Sequence, residues 1–174
     1  MILSVEKAKS LISFPEWSDE KIEMKLKAIE QTIRAYTNNN FQNRDCRITA
    51  CVRAGVLMSD SLIPFGIGDT VQISESRFNM GLFTVYEVDD LTAMVNEDTR
   101  DEDDVLVTKI EYPSDVVNCC LELLEWSVNY AGKVGIKSET LSRHSVTYED
   151  SSTMFMGFPS AMFGCLKPYR KCRC

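Results

Sequence analysis

The sequence predicts a mainly α fold: a helical bundle of about three to four helices, a small antiparallel β sheet or barrel inserted into it, and an extended C-terminal arm. Three observations lead to this prediction. Residues 18–37 carry apolar side chains at spacings of three and four, as an amphipathic helix does. Residues 65–110 alternate apolar and polar side chains between turn residues. The last forty residues follow neither pattern, yet they contain many large apolar side chains.

Two helices are predicted before the β region. Residues 3–13 read as a short amphipathic helix that Pro15 ends. Ser18 is the predicted N-cap of the second helix, and acidic residues fill its first turn, where they favour the helix dipole. One apolar stripe then runs along residues 18–37 and consists of Ile22, Leu26, Ile29, Ile33 and Tyr36.

The β insertion is built from short strands separated by turns. Residues 47–52 fit either a strand or the start of a helix, and the pattern leaves both open. Four short strands then follow at 70–74, 82–88, 91–95 and 105–110, which suggests a small antiparallel barrel or sheet. Six acids crowd residues 97–104, where we expect an exposed hairpin loop because a calcium loop would need a glycine at its bend.

Helix returns after the β region. Residues 114–131 are apolar on more than half of the helix circumference, which is typical of a helix at the centre of a bundle. The predicted organisation is a helical body at 1–45 and 113–135, a β insertion at 46–112, and an extended connector segment with a C-terminal arm at 136–174.

The bulk composition narrows the classes of protein. A chain of 174 residues usually forms one domain, or one with a small insert. Its net charge of -7 argues against general nucleic-acid binding, which needs a basic face. No apolar run is long enough for a transmembrane helix. The first residues lack the pattern of a signal peptide, so we expect the protein to remain in the cytoplasm where it is made.

No catalytic constellation is evident in the sequence. His144 is the single histidine, and no serine near it lies in a nucleophile-elbow motif. Residues 66–68 read Gly-Ile-Gly but lack the third glycine of a phosphate loop, so they fit a β turn. The acid pairs Asp89–Asp90 and Asp103–Asp104 lie in turns beside strands, where exposed charge is ordinary. We therefore predict no enzyme activity and no cofactor.

The seven cysteines give an alternative that stays open. They are Cys46, Cys51, Cys119, Cys120, Cys165, Cys172 and Cys174. No CxxC spacing occurs, and structural zinc needs four ligands, so we predict no metal site. Reduced thiols that pack as small apolar side chains are the ordinary explanation. The less favoured reading is a small cytoplasmic thiol-dependent enzyme or regulator.

The C-terminal arm is the best candidate for a binding surface. Its last eight residues contain four Lys or Arg and no acid. We favour docking on an acidic protein surface over contact with DNA phosphates, because four charges on an acidic chain give weak DNA affinity. Ordering some seventeen residues costs about 1–2 kcal/mol each, more than burial of five large apolar side chains returns. The arm therefore needs the body, a neighbouring subunit or a partner, and we predict that residues 158–174 dock outside their own subunit.

Several runs together resemble the head-tail connector (adaptor) proteins of tailed bacteriophages. The first is the Phe-x-x-Gly-Asp-x-Val-x-Ile run at 65–73, followed by Tyr112-Pro113 at the entry to the apolar helix. Further runs lie at 136–139, 143–148 and 166–171, and the two C-terminal runs are the most specific. The resemblance covers nearly the whole chain, although no single run is diagnostic. The β insertion and the seven cysteines depart from the family pattern.

The resemblance implies an architectural role. Such a protein forms a ring, of twelve subunits in this family, beneath the phage portal protein; it extends the DNA channel and offers a platform to a downstream stopper or tail protein. DNA would pass through without sequence-specific binding, no membrane would be involved, and the protein would reside in the virion after synthesis in the bacterial host. The alternative within the same class is another phage ring protein, a stopper or tail-completion protein. The residues expected to contact a neighbour or the portal are Arg143, His144, Val146, Tyr148, Phe158, Phe163, Leu166, Lys167, Pro168, Tyr169, Arg170 and Lys171.

Overall fold

The computed structural model describes residues 1–14, 16–95, 99–130, 138–141, 144–147 and 154–172, and for 138–147 it describes the backbone only. The chain divides into two compact units. One unit, the barrel unit, contains Met1 and Asn40–Tyr112. The other, the helical unit, contains Ile2–Asn39 and Pro113–Cys174. No described helix is both long and apolar enough to cross a membrane.

The helical unit begins with two capped helices. Helix α1 spans Val5–Leu11 and helix α2 spans Asp19–Thr37. The Ser18 hydroxyl accepts a hydrogen bond from the Lys21 backbone N–H at 3.3 Å, as predicted for an N-cap. Asn38 ends α2 in the left-handed region with φ of 48°. The α2 stripe is buried as predicted at Ile22, Leu26, Ile29 and Ile33.

Helix α3 and the C-terminal segment complete this unit. Helix α3 spans Ser114–Tyr130 and buries Val116, Cys119, Cys120, Leu123, Leu124 and Ser127. A two-stranded pair, β7 at Ser138–Leu141 and β8 at His144–Thr147, follows α3 in sequence. A second short pair joins β9 (Met154–Phe155) to β10 (Phe158–Pro159). A run of 3₁₀ turns at Ser160–Tyr169, here called the 3₁₀ segment, packs on α3 and α2.

The barrel unit is a closed, antiparallel, six-stranded barrel. Its strands are β1 (Gln42–Arg53), β2 (Val56–Met58), β3 (Thr70–Ser74), β4 (Gly81–Val88), β5 (Thr92–Val95) and β6 (Glu102–Ile110). Neighbours follow the order β1-β2-β5-β4-β3-β6, and β6 pairs back onto β1 to close the barrel. Inward-facing side chains alternate along each strand and fill the interior. The run at 47–52, which fits either a strand or a helix in the sequence, is therefore strand and lies in the second half of β1.

The barrel corrects the predicted fold class. The chain is not a mainly α helical bundle with a small β insertion, because six of its ten described strands form a closed barrel with its own core. The prediction is wrong because the pattern at 47–52 fits either strand or helix and the three residues of β2 give no strand signal. Without these two strands the β region has open edges, whereas with them every strand has two partners and the barrel becomes an independent structural unit.

Candidate docking surface

The predicted arm packs on its own helical unit. Phe158, Phe163 and Leu166 are buried, at 5%, 1% and 0% exposure. The Phe163 ring lies 5.0 Å from the ring of Tyr36 on α2 and 5.2 Å from that of Phe155, between centroids. These three residues are thus core side chains in the free chain. The expectation that residues 158–174 dock outside their own subunit does not hold for them, because the helical unit itself supplies the apolar surface that the arm needs.

Polar contacts then hold the end of the chain against the end of α2. The Lys171 backbone N–H donates to the carbonyl of Thr37 at 2.8 Å. The Asn38 side-chain amide donates to the carbonyl of Cys172 at 3.2 Å, and that of Asn39 to the carbonyl of Tyr169 at 3.2 Å. The asparagines at 38 and 39 therefore do more than end a helix, since they fix the path of residues 169–172.

These contacts leave basic side chains on the outside. Lys167, Arg170 and Lys171, here called the C-terminal basic face, are exposed, as is Pro168. The Arg170 guanidinium lies over the Tyr36 ring, 5.2 Å from its centroid, so its position is set by a cation–π contact. The face is therefore an ordered array of cations on a chain whose net charge is -7.

Tyr169 is half-buried and reaches α3. Its hydroxyl donates a hydrogen bond to the Asp115 carboxylate at 3.1 Å. This hydrogen bond raises the pKa of the Tyr169 phenol above its ordinary value, because the negative carboxylate opposes ionisation of the ring hydroxyl. Tyr169 is therefore an anchor between the C-terminal segment and α3.

The predicted site residues before the arm are only partly within the described chain. Arg143 and Tyr148 lie outside the described residues. His144 and Val146 belong to strand β8, where they pair with Leu141 and Glu139 of β7. The structure describes only their backbone, so their proposed role in contacting a neighbour stays a prediction.

Charge is divided unevenly between the two units. Residues 40–112 of the barrel unit contain six Lys or Arg and fourteen Asp or Glu, a net charge of -8. The remaining residues contain thirteen basic and twelve acidic side chains, a net charge of +1. The acidity of the chain thus belongs to the barrel, and an anionic partner would meet less repulsion at the helical unit.

The Gly-Ile-Gly-Asp run at 66–69 is a structural turn of the barrel, as predicted. The Asp69 carboxylate accepts a hydrogen bond from the Gly66 backbone N–H at 2.7 Å and pairs with the Lys109 ammonium at 2.7 Å. This ion pair raises the pKa of Lys109. Gly68 has φ of +87°, which favours glycine. The run contributes no phosphate-binding loop.

Two of the thiols described in the helical unit, those of Cys119 and Cys120, are poor candidates for nucleophiles. Cys119 and Cys120 are completely buried. Burial raises the pKa of Cys120 to about 12, and burial together with the neighbouring Cys165 also raises that of Cys119. Since the thiolate is the reactive form, both thiols are strongly disfavoured as nucleophiles. The described residues also contain no group of three His, Cys, Asp or Glu side chains placed to hold a metal ion.

Comparison with known proteins identifies no relative of this chain. The chain matches no protein-family model, and no curated protein is significantly similar to it.

Proposed function

We propose that this protein is a structural head-tail connector of the adaptor type in a tailed phage, which forms a ring beneath the portal protein. The observation that carries the proposal is the C-terminal basic face, formed by the residues at 166–171 that also carry the resemblance to this family. Backbone and side-chain contacts order it before any partner arrives. Ordering in advance lowers the entropic cost of association, which suits a docking surface.

The docking partner in this proposal is an acidic surface of the portal protein. Lys167, Arg170 and Lys171 supply the charge, and Pro168 supplies a rigid exposed apolar contact beside them. Phe158, Phe163 and Leu166 have a different role, because they are buried in the helical unit and hold the basic face in position. The interface proposed from the sequence is therefore narrowed to the exposed residues of the segment.

The acidic barrel suits passage of DNA. A net charge of -8 on residues 40–112 repels phosphates, so DNA in a neighbouring channel would not be held by tight contacts. The barrel also favours a second candidate function, that of a stopper ring, since a chain with a substantial β domain fits that alternative better than a pure helical bundle. The two differ in their target: an adaptor binds the bare portal, whereas a stopper binds a portal that already carries its adaptor.

A binding experiment tests the proposal. The full chain is mixed with the portal ring of the same phage, and bound protein is measured by co-sedimentation. The triple variant Lys167→Glu, Arg170→Glu, Lys171→Glu is expected to lose binding. A control with the same change in charge, Lys7→Glu, Lys27→Glu, Arg44→Glu, replaces exposed cations elsewhere and is expected to bind. Failure of the unmodified chain to bind the bare portal contradicts the adaptor role, and equal binding by both triple variants contradicts the assigned face.

A further inference from the structure

One loop of the barrel presents an aromatic side chain between two arginines. The loop joins β3 to β4, and Phe78 and Met80 are exposed at 51% and 72%. The guanidinium groups of Arg77 and Arg100 lie 5.2 and 5.6 Å from the centroid of the Phe78 ring. We call these four residues the knob. It combines a large apolar surface with two positive charges on a unit that is otherwise acidic.

A partly buried network of hydrogen bonds fixes the shape of the knob. The Glu102 carboxylate accepts hydrogen bonds from the Ser76 hydroxyl at 2.6 Å, the Asn79 side-chain amide at 3.0 Å and the Phe78 backbone N–H at 3.3 Å. Asn79 also donates to the carbonyl of Arg100 at 2.9 Å and accepts from its N–H at 2.8 Å. The loop therefore has a defined shape in the free protein, although its tip is solvent-exposed.

The opposite end of β4 carries a surface of complementary chemistry. Met58, Leu62 and Leu91 are exposed at 47%, 71% and 48%, and the exposed acids Asp60, Asp89 and Asp90 surround them in sequence. We call these six residues the patch. Its two segments are joined by hydrogen bonds from the Ser59 N–H to the Leu91 carbonyl and from the Ile63 N–H to the Asp90 carbonyl, both 2.9 Å. No Lys or Arg occurs at 54–76 or at 78–99, so the two segments that form the patch contribute acids and no cation.

The knob and the patch cannot meet within one barrel. Arg77, Phe78 and Met80 immediately precede β4, whereas Asp89, Asp90 and Leu91 follow it, and the eight residues of β4 separate the two groups by about 26 Å at 3.3 Å per residue. The knob of one molecule is therefore free to contact the patch of another. Such a contact joins different surfaces on the two copies, and its repetition produces a ring if the rotation closes or a filament if it does not.

We propose that the knob of one copy docks on the patch of the next copy and that this contact links the subunits head to tail. The inference rests on the proposed ring function and names its subunit contact. Arg77 and Arg100 face Asp60, Asp89 and Asp90 across the interface, while Phe78 and Met80 pack on Met58, Leu62 and Leu91. A second copy is the occupant because the two surfaces complement each other in both charge and apolar character.

Other acids at the knob end of the barrel are largely held by contacts of their own. The Asp103 carboxylate pairs with the guanidinium of Arg53. The Asp101 carboxylate accepts a hydrogen bond from the Ala54 backbone N–H at 3.0 Å. Glu75 and Asp104 are also exposed near this end. The acidic patch is therefore expected to be attracted to the two arginines and not to this end of the barrel as a whole. Association through this contact should therefore weaken steeply with added salt.

The test uses two variants of the full chain and their mixture. Phe78→Ala removes the knob aromatic, and Asp89→Arg with Asp90→Arg reverses the patch charge. The dissociation constant for self-association is measured by sedimentation velocity. For each variant alone it is expected to be at least about 30-fold higher than for the unmodified chain, as for an interface hot spot. The alanine variant retains its patch and the arginine variant its knob, so their equimolar mixture is expected to form 1:1 dimers that do not extend. Met24→Ala, which changes an exposed side chain of α2, serves as the control.

Two outcomes overturn this contact. In the first, the unmodified chain stays monomeric at concentrations that saturate portal binding, and its copies do not contact each other on the portal. The other is self-association that neither variant weakens. Portal binding separates this inference from the proposed function: rings that form through the knob but ignore the portal refute the adaptor role alone. Portal-bound rings that form equally well from both variants refute the knob contact alone.

Discussion

Replacing Phe163 by alanine tests whether the C-terminal segment is part of the folded helical unit. Phe163 is 1% exposed and is among the largest fully buried side chains of the chain. Truncating a buried phenylalanine to alanine costs about 3–5 kcal/mol, through lost transfer free energy and the cavity that remains. The rings of Tyr36, Phe155 and Phe158 lie close enough to the Phe163 ring for favourable aromatic pairs. The expected loss of unfolding free energy is therefore in the upper half of that range.

Tryptophan fluorescence isolates the relevant unit. The two tryptophans, Trp17 and Trp126, both belong to the helical unit, so their emission during urea unfolding reports on that unit alone. With a slope of about 1–3 kcal/mol per molar urea, a loss of about 4 kcal/mol lowers the midpoint by roughly 1.3–4 M. Lys167→Ala changes an exposed side chain in the same 3₁₀ segment and is expected to shift the free energy of unfolding by less than about 0.5 kcal/mol.

An unchanged midpoint for Phe163→Ala refutes this reasoning. That result would mean that the segment does not contribute to the core of the helical unit. It would restore the original expectation of an arm that orders only against another molecule. A midpoint lowered equally by both substitutions would also contradict the account, because it would remove the distinction between the buried and exposed sides of the segment.

Three further predictions concern pH, backbone strain and thiol reactivity. Hydrogen bonds lower the pKa of Glu102, so its contribution to stability is complete above the unfolded pKa of about 4.3 and is lost as pH falls through the folded value. The melting temperature of Glu102→Gln should therefore be lower than that of the unmodified protein at pH 7, and the two should converge toward pH 3. The control Glu87→Gln should not show this change with pH. A difference in melting temperature that is the same at both pH values contradicts the role of the Glu102 network. Gly68→Ala places a Cβ at φ of +87° and should destabilise the barrel by about 1–2 kcal/mol, measured by amide hydrogen exchange of β3 and β4; unaltered exchange refutes the strain. Iodoacetamide should label Cys172 rapidly and Cys120 only on unfolding, detected by peptide mass spectrometry, because Cys120 is buried and Cys172 is exposed; equal rates contradict the assigned burial.

Elements specified by nearby residues were predicted well. The cap at Ser18 and the three- and four-residue spacing define α2, whose predicted span of 18–37 differs from Asp19–Thr37 by one residue. The predicted bounds of strand β3 are its observed bounds, Thr70–Ser74, since strict alternation between flanking turns marks both ends. These signals are local and need no knowledge of the rest of the chain.

Closure of the barrel could not be predicted from local sequence patterns. Strand β1 has an irregular burial pattern before Arg47 and register shifts on β6. In the run at 47–52 the apolar Cys51 lies between Ala50 and Val52, so the sequence shows no clear alternation and fits strand or helix. Strand β2 has three residues, too few for periodicity to detect. The fold class depends on these two strands, and pairing of β1 with β6 joins residues that lie as far apart as Gln42 and Ile110.

The candidate site also combines features that the sequence predicts with features that it does not. The basic character of residues 167–171 is visible in the composition of the tail. Its attachment was not predictable, because Asn38 and Tyr36 precede it by about 130 residues and nothing in either run signals the other. The apolar side chains were recognised as needing a surface, but the sequence could not show that α2 and α3 provide it. The pairing of Glu102 with the loop at 76–79 was missed for the same reason.

The most direct test of the proposed function is electron microscopy of the protein with and without the portal ring of the same phage. We predict one additional ring of density on the portal, with the mass of about twelve copies of the 19.7 kDa chain as the family resemblance implies. The C-terminal basic face should lie against the portal. A portal that gains no density from this protein, or gains it only after another protein has bound, would contradict the adaptor role.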